Sequence, residues 1–183
     1  MTQNFFLTLV AGFLAFKLSV PLSALDSPMG RSLLDAVNVA APIEGLLVGG
    51  QPSQTDLLKI KALGFQTIIS LRTLEEDLAT IDFDEKIEAE KLGIKFIRIP
   101  IVDTSDLTEK TLKLLDETLA AAGGRAFLHC STGNKVGAAL AMRAFRMQNK
   151  TYSEAIELGS KAGLTGNMKT TVQNTLQATS DSQ

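Results

Sequence analysis

Four short stretches dominated by Val, Ile, Leu and Phe punctuate the chain: Leu46-Leu47-Val48, Thr67-Ile68-Ile69-Ser70-Leu71, Phe96-Ile97-Arg98-Ile99-Pro100 and Ala126-Phe127-Leu128-His129. Each reads as a strand. Between and after them, apolar positions recur at helical spacing over Asp56 to Leu63, Phe83 to Leu92, Thr108 to Ala122, Lys135 to Gln148 and Tyr152 to Lys161. The boundaries carry matching punctuation. Ser53 precedes Asp56 by three residues, close to a capping box, and Gly64, Gly93 and Gly123-Gly124 fall where helix C-termini need positive φ.

Strands alternating with helices predict an α/β domain, with a central, mostly parallel sheet of four to five strands flanked by helices. A right-handed crossover between parallel strands must pack its helix back onto the sheet. In such sheets ligands bind beyond the carboxyl ends of the strands. The residues that follow the strands here are Arg72, Asp103 and Cys130, so a cation, a carboxylate and a thiol are expected on one rim.

With 183 residues there is room for one domain and little else. Apolar residues at 45% and charged residues at 21% fit a globular chain with a real core, and exclude a disordered or multi-span membrane protein. The 18 Lys and Arg against 20 Asp and Glu supply no overall attraction to nucleic acid or anionic lipid, and no Trp with one Tyr gives no stacking platform. One Cys and one His rule out a disulfide framework and argue against a closed zinc site. No metal and no cofactor is expected. Yet those two residues are adjacent, as His129-Cys130.

Phe5 to Phe16 is an apolar run of signal-peptide length, followed by Lys17, Ser19-Val20-Pro21 and the small pair Ser23-Ala24, although no Lys or Arg precedes it. The expected organisation is a signal segment at 1–24, a linker at 25–37, the domain at 38–165 and a C-terminal tail at 166–183 that frays from Thr170 onward. This implies a periplasmic or secreted protein; the alternative is membrane anchoring through an uncleaved N-terminal segment. An exported protein with one Cys has no intramolecular partner for it, so the thiol is either inert or kept for chemistry.

The segment Leu128-His129-Cys130-Ser131-Thr132-Gly133-Asn134-Lys135-Val136-Gly137-Ala138 passes from a buried strand through a short polar turn into an Ala-rich helix. A helix N-terminus offers unpaired amides and about half a positive charge, and a Gly-containing turn before it can form an anion nest, so a phosphate-sized dianion fits there. The same field favours the thiolate of Cys130. Gly133 permits a conformation closed to other residues.

Cys130 to Lys135 behind a hydrophobic strand and His129 resembles the signature loop of cysteine-dependent phosphatases of the tyrosine and dual-specificity class. More closely, the chain resembles the bacterial phosphatase-like domain DUF442, or beta-lactamase hydrolase-like family, in which four residues typically separate the Cys from the basic residue. Gly49-Gly50-Gln51-Pro52-Ser53, Leu63-Gly64-Phe65 and Thr67 to Arg72 match that group too, so the resemblance spans about residues 38 to 165.

The resemblance implies a dual-specificity phosphatase-like fold and phosphate monoester hydrolysis through a cysteinyl-phosphate intermediate, on a small phosphorylated substrate or a phosphoprotein. Cys130 would be the nucleophile and Asp103 the general acid, with Asp106 in reserve or serving as an N-cap for the helix near Thr108. Ser131, Thr132, Gly133, Asn134, Lys135 and Val136 would hold the phosphate and His129 would order the loop. Arg72 is either a further phosphate ligand or a surface cation paired with Glu75 or Glu76.

Two positions depart from the pattern. Lys135 stands where the family has Arg, and an ammonium cannot grip two oxygens as a guanidinium fork does. Val136 stands where a hydroxyl is frequent. Two other functions stay open: a rhodanese-like sulfurtransferase, whose loop also places a basic residue five positions after Cys, and, because of Lys135 and Val136, a non-catalytic phosphate binder, or pseudophosphatase. The charge runs Glu75-Glu76-Asp77 and Asp82 to Glu90 read as solvated helix faces. Met142 and Met147 read as core filling beside Leu140 and Phe145.

Overall fold

The strand-forming stretches pair into one five-stranded sheet: β1 (Ala40–Ile43), β2 (Leu46–Gly49), β3 (Thr67–Ser70), β4 (Lys95–Arg98) and β5 (Ala126–His129), in the order β1-β2-β5-β3-β4. Four strands run parallel and β1 lies antiparallel to β2 at one edge. The computed structural model describes residues 40–43 and 45–180, so the expected signal segment and linker lie outside the described residues. Among the described residues no helix is long and apolar enough to cross a membrane.

The connections are helical: α1 (Gln54–Ala62), α2 (Leu74–Thr80), α3 (Glu85–Lys91), a 3-10 turn (Thr104–Asp106), α4 (Glu109–Ala121), α5 (Asn134–Met147), α6 (Tyr152–Lys161) and α7 (Gly166–Ser180). Ser53 caps α1 in a full capping box with Asp56, as its spacing predicts. Gly64, Gly93, Gly123 and Gly124 all have positive φ.

Three elements differ from the pattern-based expectation. β1 contains Ala40-Ala41-Pro42, a composition without strand propensity, and Pro is tolerated in a sheet at an edge such as this one. α2 is a separate short helix, nucleated by a Thr73–Glu76 capping box within what reads as a charge run. The C-terminal residues expected to fray form α7, because Val172 and Leu176 fall one turn apart and both are fully buried.

Period-two alternation explains how the sheet separates two cores. Val48, Leu128 and Ile69 lie in register and face the cluster built with Leu112, Leu115, Val136, Leu140, Val172 and Leu176. Their neighbours Leu47, Phe127 and Ile68 face the opposite cluster, with Leu57, Ile60 and Ala89. His129 continues the Phe127 face and stacks on that ring, with centroids 5.3 Å apart. Cys130, one residue later, belongs to the other cluster. Adjacent in sequence, the imidazole and the thiol are therefore delivered to opposite sides of the sheet.

Candidate functional site

The strand order places the ends of β5, β3 and β4 side by side. Leu71 N–H donates to His129 O at 2.8 Å, and Ile99 N–H donates to Ser70 O at 2.9 Å. Arg72, the Asp103 turn and Cys130 thus leave neighbouring strands along one rim.

Cys130 opens a turn that ends at Gly133, the N-cap of α5, with φ 93°. Gly133 N–H donates to Cys130 Sγ at 3.2 Å. α1, α2, α3, α4 and α6 are each capped by a side-chain oxygen, from Ser53, Thr73, Asp84, Thr108 and Thr151. α5 has no side-chain cap. The first-turn amides of Asn134, Lys135 and Val136 lack an intrahelical acceptor by the geometry of any α-helix, and here the N-cap offers none. The result is a set of uncapped amides at the positive end of a fourteen-residue helix, beside the one N–H that reaches the sulfur.

The turn is held from several sides. Gln51 N–H donates to Ser131 O at 3.1 Å, and Gly50 lies so close that a Cβ there would stand 2.8 Å from the same oxygen. The motif Gly49-Gly50-Gln51-Pro52-Ser53 is therefore the bed on which the loop rests. Asn134 Oδ1 accepts from Thr165 N–H at 3.0 Å, tying the start of α5 to the α6–α7 connection. Val136 is fully buried in the core, so only its backbone can face an anion. Ser131 and Thr132 are exposed, whereas Cys130 is 1% exposed.

Arg72 is 2% exposed and its donors are engaged within the protein. Nε donates to Asp77 Oδ1 at 2.5 Å, Nη1 to Ser131 Oγ at 2.6 Å, and Nη2 to Glu76 O at 2.7 Å and to Thr80 Oγ1. Asp77 is shared with Arg98, 2.7 Å away. The Arg72 guanidinium thereby clamps the Cys130 turn to α2. It is not the exposed surface cation that pairing with Glu75 or Glu76 would make it.

Lys135 Nζ meets Glu76 Oε1 at 2.7 Å. Burial works against the Glu76 carboxylate, but the hydrogen bonds from Lys135 and from Thr73 N–H, with the charges of Lys135 and Arg72, hold its pKa below the usual glutamate range.

Both candidate acids take part in one turn. Asp103 Oδ1 accepts from Ser105 Oγ at 2.6 Å and from Ser105 N–H at 2.7 Å, while Asp106 Oδ2 accepts from Val102 N–H at 2.7 Å. The cap of α4 is Thr108 and not Asp106. The Ser105 hydroxyl and then the Ser105 amide, with the more distant Lys135 charge, lower the pKa of the exposed Asp103 carboxyl.

Two acids escaped the sequence reasoning: Asp77, buried against Arg72 and Arg98, and Glu85. Glu85, in a stretch that reads as a solvated face, has a side chain with no exposure and lies 3.0 Å from the equally buried His129 Nε2. Gln51 Nε2 donates to the other Glu85 oxygen at 2.9 Å. A run of charge gives no sign of which acid turns inward.

No protein-family model and no curated protein matches the sequence. Solved structures do match. A DUF442 protein of Shewanella putrefaciens CN-32 superposes with a TM-score of 0.58 at 15% identity, covering 81% of this chain and 97% of that one. A phosphatase-like protein of Neisseria meningitidis Z2491 gives 0.62 at 22% identity, covering 75% and 97%. P. aeruginosa TpbA, in a cysteine-to-serine form complexed with phosphotyrosine, gives 0.55 at 16%, covering 81% and 93%. At these identities the likeness establishes the fold, that of the cysteine-dependent phosphatases.

Proposed function

We propose that this chain is a cysteine-dependent phosphatase that hydrolyses phosphate monoesters through a cysteinyl-phosphate intermediate. The observation that carries this reading is the N-terminus of α5, which has no side-chain cap and whose N-cap residue, Gly133, donates its N–H to Cys130 Sγ. A trigonal phosphoryl group placed over such amides finds donors where its equatorial charge develops, the main source of catalysis in phosphoryl transfer. The TpbA complex with phosphotyrosine supports a phosphorylated small molecule or phosphoprotein as substrate.

In the first step the Cys130 thiolate attacks phosphorus, an S–P bond forms and the ester P–O bond breaks. Asp103 gives a proton to the leaving oxygen. To do so it must first leave the Ser105 hydroxyl and amide that favour its ionised form, and take up a proton from water. In the second step water attacks phosphorus, its proton passes to the Asp103 carboxylate, and the S–P bond breaks to release phosphate and restore the thiolate. Lys135 turns from Glu76 toward the phosphate as a single-point cation, so turnover is slow compared with a guanidinium fork. The Lys135–Glu76 pair equally favours the second reading, a phosphate-binding protein without turnover. For localisation, the apolar run Phe5 to Phe16 supports export to the periplasm or medium.

The test compares the protein with Cys130→Ser, Lys135→Arg and Asp103→Asn on an aryl phosphate, and on thiosulfate plus cyanide. Phosphate release is expected to vanish in Cys130→Ser and to rise in Lys135→Arg. Asp103→Asn should slow poor leaving groups most; a larger loss in Asp106→Asn would transfer the acid role. Release unchanged in Cys130→Ser refutes the phosphatase reading, and thiocyanate formation replaces it with sulfur transfer. Phosphate binding with neither reaction identifies a binder.

A further inference from the structure

We infer that Glu85 is a positioning residue for the nucleophile, acting through His129 from the face of the sheet opposite Cys130. Three contacts run in series: Gln51 Nε2 to Glu85 Oε2 at 2.9 Å, Glu85 Oε1 to His129 Nε2 at 3.0 Å, and His129 Nδ1 to Cys130 O at 3.4 Å. The last two make a demand on protons. A carbonyl oxygen only accepts, so the contact with Cys130 requires the proton on Nδ1. Nε2 and Glu85 Oε1 face each other at 3.0 Å without the alignment of an ordinary hydrogen bond; at that separation their lone pairs repel unless a second proton, on either atom, lies between them. Among the described residues nothing else reaches Nε2, so without the carboxyl the imidazole is free to carry its proton there. Nδ1 would then present a lone pair to the Cys130 carbonyl, and the two would repel.

Burial makes this arrangement consequential. The Glu85 and His129 side chains are both 0% exposed, and the ring is pinned parallel to Phe127. Water cannot take over a lost contact in such a place. The Cys130 carbonyl belongs to the first peptide of the turn that brings Gly133 N–H to Sγ, so a ring that repels it disturbs the contact that favours the thiolate. Glu85 thus acts on the sulfur without touching it. The other charged groups at this corner are Arg72 after β3, Asp77 and Glu76 in α2, Arg98 in β4 and Lys135 in α5, whose charge also acts on Asp103. None of them contacts His129.

The inference rests on Cys130 being the nucleophile, but its readout needs no phosphate ester. The rate at which iodoacetamide alkylates Cys130 reports its thiolate. In the folded protein, Glu85→Ala is expected to lower that rate about tenfold at about pH 6.5 and to displace the alkylation profile to higher pH. Glu85→Gln restores it to within about threefold, because its amide can donate to Nε2 and its oxygen can accept from Gln51. Gln51→Met, which keeps the volume and removes the donor, should give an intermediate loss of about threefold and serves if Glu85→Ala does not fold. A folded Glu85→Ala that alkylates like the unmodified sequence overturns the inference, as does a Glu85→Gln no faster than Glu85→Ala. If neither Glu85 variant folds, an unchanged rate in Gln51→Met overturns it. Should the unsubstituted protein release no phosphate while these rates behave as expected, the phosphatase reading fails and the positioning role stands.

Discussion

Gly50→Ala is the most direct test of how the nucleophile turn is supported. Gly50 is not among the positive-φ glycines, so alanine can adopt its backbone conformation without strain and the effect is one of space alone. The new methyl would stand 2.8 Å from Ser131 O and 3.5 Å from Thr132 Cα, atoms of a backbone that cannot rotate aside. Either the turn lifts or the Gln51 N–H bond to Ser131 O, now 3.1 Å, is lost. Overpacking of this kind costs about 1–3 kcal/mol, and a lost backbone hydrogen bond about 1 kcal/mol. A destabilisation of about 2–4 kcal/mol lowers the Tm of a domain this size by roughly 4–16 °C. Lifting the turn also moves Gly133 away from Sγ, so iodoacetamide alkylation and phosphate release should each fall about tenfold. Gly124→Ala is the control: its φ of 71° makes alanine costly by about 1–2 kcal/mol, yet nothing lies within 4 Å of the new methyl. It should melt lower and alkylate normally. A Gly50→Ala protein that melts within about 1 °C of the unsubstituted one and alkylates at the same rate would show that the turn does not rest on this motif.

Arg72→Met removes the clamp between α2 and the Cys130 turn, and leaves Ser131 Oγ without the Arg72 donor and the buried Asp77 without one of its two cations. The expected cost is about 3–5 kcal/mol, read from urea denaturation midpoints, and a loss under about 1 kcal/mol would deny the clamp its role. Glu76→Gln tests the Lys135 contact through pH. The folded-state pKa of Glu76 is held down, so the stability this link contributes is present above the ordinary glutamate range and is lost as pH falls through the lowered value. The unsubstituted protein should therefore melt above Glu76→Gln at about pH 7 and converge with it toward about pH 3; a gap independent of pH would disprove the linkage.

The strands and the helices around them were legible because their signals are local. Leu47-Val48, Ile68-Ile69 and Phe127-Leu128 put apolar side chains on both faces of a sheet, and Ser53 with Asp56 announces where α1 begins. The nucleophile turn was equally legible: a strand, a Gly at the point of entry and an Ala-rich helix are enough to predict a ring of amides around Cys130. What was not legible lies in pairs of residues far apart in the chain. β1 forms only because β2 offers it an edge, and α7 holds because Val172 and Leu176 find a core to enter.

The same division runs through the site. Residue type and spacing by themselves determined that a thiol would sit at the positive end of a helix, since both ends of that contact lie within four residues. Only the tertiary structure decided that Arg72 would reach Ser131, 59 positions away, that Lys135 would face Glu76 across the same interval, and that Glu85 would turn inward to His129 while Asp84 and Lys86 on either side of it face water. Spacing along a chain fixes which groups share a turn or a face, but the partner of a buried charge is fixed by where the sheet brings distant segments together, and by the cost of leaving that charge alone.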